Sequence, residues 1–154
     1  MNAPTTRTSS PGTGPPTSYP PARLALRPPT FPAGPVCGGW WPRTDDLVVE
    51  LTALLDVFDT THGRVTRIAS HRGSWATDPH TLPVTDHTVL ATWYTSGLDP
   101  YTIRLFSHRS RRWDLFVVPP GSEAGAAARL MSAAADPALR LTGSALMATE
   151  DPAA

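Results

Sequence analysis

Metal chemistry needs several imidazole, thiol or carboxylate groups converging on one point. The only segment dense in them is the turn-rich run from His71 to His87, which offers His71, Asp78, His80, Asp86 and His87. The spacing matches no recognised ligand signature, so we assign no metal ligand and keep His80, Asp86 and His87 as the candidates for a metal-binding or small-molecule enzyme alternative. A general acid/base pair drawn from His87 and Asp114 has the right types, but no spacing brings the two together. A nucleophilic serine belongs on a strand-to-helix elbow between glycines; Ser74, Ser122 and Ser144 each follow a glycine without that context. Gly12-Thr13-Gly14 and Gly38-Gly39 lack the strand, the helix and the Lys-Ser/Thr ending of a phosphate loop. No catalytic residue and no cofactor is therefore assigned.

Two clusters remain that suit recognition rather than catalysis. From Arg104 to Arg112 the chain has four arginines and His108, with no carboxylate, and Trp113 follows directly. Arginine with an adjacent aromatic can hold phosphates and stack bases, which makes nucleic-acid binding through the Arg104 to Trp113 hairpin a second alternative. Thirteen basic and thirteen acidic residues cancel over the chain, however, which disfavours nucleic acid as a partner. A solvated turn is the commoner case for such a hairpin, and pairing with the acidic stretch 45–59 or with a protein partner comes next. The second cluster is Trp40-Trp41, whose rings are too apolar to leave in water. Trp41, nearer the following helix, is expected to be the buried ring, and Trp40 the more exposed one. The candidate partner or ligand contacts are thus Trp40, Trp41, Arg109, Arg111 and Arg112.

These residues need elements to position them. Residues 1–22 hold six prolines, eight serines or threonines and two glycines, so they read as a disordered tail whose removal should leave the fold intact. One domain is expected over 23–148, with a frayed end at 149–154. Arg23 to Arg27 alternates as a short edge strand before Pro28-Pro29. After a loop to Pro42, Thr44 is placed to cap a helix whose apolar stripe is Leu47, Val48, Leu51, Leu54, Leu55 and Phe58, ended by His62-Gly63. Its outer face would carry Glu50, Asp56 and Asp59. Strands are expected at 64–70, 81–84, 88–94, 101–107 and 113–118. Their short connectors imply antiparallel hairpins in a meander, and the last strand, apolar on both faces, should be central. Ser122-Glu123 can cap an alanine-rich helix, followed by a short turn at 144–148. The fold class is α+β: a mostly antiparallel sheet of about five strands, with two helices packed on one face.

Gly39-Trp40-Trp41-Pro42-Arg43-Thr44 with Asp46-Leu47, Gly63-Arg64-Val65-Thr66-Arg67-Ile68, and Arg112 through Pro120 together resemble an uncharacterised actinobacterial family of unknown function. The resemblance implies one domain over roughly Arg23 to Met147 and brings no activity, substrate or site residue with it. The arginine-only basic set and the abundance of alanine and proline fit a high-GC genome. The lone Cys37 cannot form an internal disulfide, which favours a cytoplasmic setting. Neither a secretory signal nor a run of membrane-spanning length is visible, so no membrane association is expected. The reading that fits best is a non-catalytic cytoplasmic interaction or regulatory module with a protein partner.

Overall fold

The computed structural model describes residues 22–28, 34–85, 87–107 and 111–150. Seven strands form one mixed sheet: β1 (Leu24–Leu26), β2 (Gly38–Trp40), β3 (Val65–His71), β4 (Thr81–Pro83), β5 (Thr88–Tyr94), β6 (Thr102–Ser107) and β7 (Arg112–Val117), in the order β1-β2-β7-β6-β3-β5-β4. Three helices complete the fold: α1 (Leu47–His62), α2 (Ala124–Ala135) and α3 (Gly143–Thr149). The class is α+β as expected, and β7 is central. The sheet is not a five-stranded meander, because β2 pairs with β7 and β3 with β5 in parallel.

The physical reason lies in the β5–β6 connection. A short linker requires β6 to start at the end where β5 stops, but not to lie beside it. Crossing one intervening strand needs only about 10 Å, well within the reach of seven residues. That intervening strand is β3, which pairs parallel with β5 and antiparallel with β6. As a result β2, β7, β3 and β5 all run in one direction.

Two apolar layers flank the sheet, so the expectation of both helices on one face is corrected. Alternation along β7 divides them: Leu115 faces α1 and Phe116 faces α2. On the α1 side Leu51, Leu54 and Phe58 meet Ile68, Val89, Ile103 and Leu105. On the other side Ala127, Leu130 and Ala134 of α2, with Leu146 of α3, cover Phe116 and Val118.

Local chemistry fixes the helix ends. Asp46, not Thr44, is the N-cap of α1, accepting from the Val49 N–H, and Gly63 at φ 93° ends the helix. Asp59 then accepts from the Val65 N–H and ties the helix end to β3. Glu50 does not face solvent: it is buried, its carboxylate accepting from the Arg43 N–H and the Thr44 hydroxyl, both at 2.9 Å. It thereby fastens the Trp-Trp turn to the first turn of the helix. Glu123, rather than Ser122, caps α2 through the Gly125 and Ala126 N–H groups, and these bonds hold its carboxyl below the ordinary glutamate range.

Candidate functional site

The sequence-level candidates divide sharply once placed. His80 and His87 flank the β4–β5 hairpin at opposite ends. Thr81 pairs with Leu90 and Pro83 with Thr88, so the two histidines stand about 13 Å apart along the strands. His80 is exposed, whereas His87 Nε2 lies 2.6 Å from the Val65 carbonyl and donates to it. Asp86 lies outside the described residues, and among those described no group of three or more His, Cys, Asp or Glu could hold a metal. Asp114 is three strands away from His87 and already engaged by arginine. The pair considered for acid/base work is therefore not brought together.

The two tryptophans point to opposite layers, and their expected roles are exchanged. Trp40 is only 1% exposed and packs against Trp75, with centroids 5.6 Å apart and planes tilted by 34°. Trp41 is half-buried at the edge of the α2 layer. The Arg23 guanidinium lies 3.7 Å from its ring centroid and donates to the carbonyls of Trp41 and Pro42. Proximity to the helix start does not decide burial here; the strand does. Trp40 is the last residue of β2, and alternation sends it into the α1 core.

Cys37 lies just before β2, where burial pushes its thiol up to about 11. A thiol so protonated is a poor nucleophile. Alkylation by iodoacetamide at about pH 8 should be on the order of 100-fold slower in the native chain than in the denatured one. Timed thiol quantification in the two states checks this.

The arginine hairpin also resolves into two faces. Arg109 and His108 lie outside the described residues. Arg111 is exposed, with its guanidinium 5.1 Å from the Trp113 centroid, on the α1 side of the sheet. Arg112 points the other way, 3.6 Å from Asp114. Asp114 also accepts from Arg104 Nε at 2.9 Å and Nη2 at 3.3 Å. Arg104 and Arg112 are therefore compensated within the hairpin, by Asp114, while in the acidic stretch 45–59 Asp46 caps α1, Asp59 accepts from the Val65 N–H and Asp56 accepts from the Thr85 hydroxyl.

Sequence inspection missed the surface these residues share. Strands β3 to β7 contain only four charged side chains, Arg67, Arg104, Arg112 and Asp114, and register puts them all on the face opposite α1. α2 and α3 cover that face only at its β1, β2 and β7 end. Among the described residues, the half formed by β6, β3, β5 and β4 is left open. It carries Leu90, 55% exposed in mid-strand, beside Arg67, whose guanidinium lies 4.6 Å from the Phe106 centroid. Tyr94 and His71 face each other at its far end. The signal was present as period-two alternation in which every charge of β3, β6 and β7 falls in one phase. It could be read only once the register was known.

The chain belongs to a family of unknown function, DUF5994, whose model matches residues 23–134. No curated protein and no solved structure matches it. Among the described residues no helix is long and apolar enough to cross a membrane.

Proposed function

We propose that this domain is a non-catalytic interaction module that docks an acidic protein segment on the open half of its sheet. The observation that carries this is the pairing of an exposed mid-strand leucine with arginines on one flat face. Leu90 supplies apolar area, Arg67 stands beside it over Phe106, and at the β6–β7 border of the open half Arg104 and Arg112 share the single Asp114, which leaves a positive excess. Apolar contact would drive association, while the positive excess would select a partner bearing carboxylates and raise the rate of encounter. The same excess opposes face-to-face pairing of two copies, which would bring arginines against arginines. The lone cysteine supports a cytoplasmic setting, and the arginine-only basic set supports an actinobacterial source.

Fluorescence anisotropy with a labelled twelve-residue peptide alternating Glu with Leu tests the reading, with an oligothymidine of equal length as the competitor class. The peptide should bind at about 0.15 M salt and lose at least about tenfold affinity when Leu90→Glu and Arg67→Glu are combined. Both sites are exposed, so the thermal midpoint should hold. Absence of peptide binding at about 100 μM, or tighter binding of the oligothymidine, would overturn the proposal.

A further inference from the structure

A cavity of about 140 Å³ opens at the carboxyl ends of β3 and β7, above the start of β6. It includes neither Arg67 nor Leu90 of the open sheet half and is lined by Ser70, Ser74, Trp75, Tyr101, Thr102 and the Pro119-Pro120 corner. We infer that this cavity binds a small, uncharged, single-ring ligand carrying one hydrogen-bonding group, of the phenol or benzamide class.

Size, charge and polarity each narrow the choice. The volume is close to that of a protein cavity that admits benzene. Among the described residues no carboxylate, ammonium, guanidinium or imidazole lines it, so an ionic ligand would lose hydration without gaining a counter-charge. Trp75, Tyr101 and the prolines supply apolar wall. Hydroxyl groups supply the polar part. Ser70 is buried and its Oγ accepts from the Trp75 indole N–H at 3.2 Å, which leaves its O–H to donate to a ligand oxygen. At the rim, exposed Ser74 donates to the Pro100 carbonyl and keeps its lone pairs to accept. The wall is also held from behind, because Trp40 packs on Trp75. That contact gives the Trp-Trp turn a role at this site without placing it in contact with the ligand.

Nuclear magnetic resonance of the ¹⁵N-labelled full chain provides the test, with phenol as probe and benzoate and benzylamine as charged controls. The five tryptophans give five indole N–H signals, and a Trp75→Phe variant identifies the one bonded to Ser70. Phenol should shift that signal and the amides of Ser70, Tyr101 and Thr102 saturably, with a dissociation constant between about 10 μM and a few mM. The charged controls should bind at least about tenfold more weakly. A plug at the rim, Ser74→Trp, should abolish the shifts while the dispersed spectrum is retained. Ser70→Ala should weaken phenol by roughly fivefold and leave toluene unaffected, which separates a hydrogen bond from a change of fold. The inference is overturned if about 10 mM phenol produces no saturable shift, if the shifts survive the plug, or if benzoate or benzylamine binds as well as phenol.

Discussion

Replacing Trp40 by alanine should remove about 3 to 5 kcal/mol of folding stability, the range for deleting a large core aromatic. The ring is among the largest fully buried side chains of the domain, and it lies where β2, Trp75 and the start of α1 meet. Removing it empties one side of Trp75 and leaves a void in the core cluster it shares with Leu47 and Leu51. Collapse is restricted, because the Glu50 carboxylate holds the following turn to the helix. A domain of ordinary marginal stability would lose much of its folding free energy. Trp41→Ala is the comparison. Its ring is half-buried under Arg23, and a partly exposed cation–π contact contributes only about 0.5 to 1 kcal/mol beyond area burial. Urea titration of both variants should place the Trp40 midpoint well below the Trp41 midpoint. Equal or reversed midpoints would show that the core is not organised around Trp40.

What could be read beforehand follows from the range of the interaction involved. α1, β3, β5 and the central place of β7 are written in local period and in apolar content on both faces, so their outlines were legible. β2 was not. Gly38-Gly39-Trp40 has no strand propensity to speak of and exists because β1 and β7 flank it. Glu50 read as an exposed acid because helix period places it beside the apolar stripe, whereas the Arg43 N–H and Thr44 hydroxyl that satisfy it belong to the preceding turn. The open face was hidden for a different reason. Arg67, Leu90, Arg104 and Asp114 come from four strands, and only the insertion of β3 between β5 and β6 makes them neighbours. The arginine run 104–112 appeared as one basic patch in sequence, but strand alternation sends Arg111 and Arg112 to opposite sides. The cavity is still less visible, since its walls come from three separate stretches whose residue types are ordinary.

Gly38→Ala should destabilise by about 3 kcal/mol, at the upper end of the usual cost of overpacking, because the added methyl meets backbone rather than a flexible side chain. A Cβ at this position would lie 2.2 Å from the Ala25 carbonyl oxygen and 2.8 Å from the Leu26 Cα. The two strands can relieve that only by separating, which breaks the antiparallel pairing of Leu26 with Gly38 and strains the bond from the Arg27 N–H to the Cys37 carbonyl. Gly39→Ala separates crowding against backbone from the loss of glycine as such. Its Cβ would meet the Met131 Sδ at 3.0 Å and the Ala134 Cβ at 3.1 Å, and the thioether can move aside, so the cost should be nearer 1 kcal/mol. Hydrogen exchange gives the spatial readout. In Gly38→Ala the amides of Arg27 and Trp41, which bond across the β1–β2 pair, should lose protection first, while those of β3 and β6 keep theirs up to the reduced global limit. If Gly38→Ala matched the wild type in denaturant and kept Arg27 and Trp41 protected, the close β1–β2 approach would be wrong. The seating of the Trp-Trp turn on Arg23 would then have to be redrawn with it.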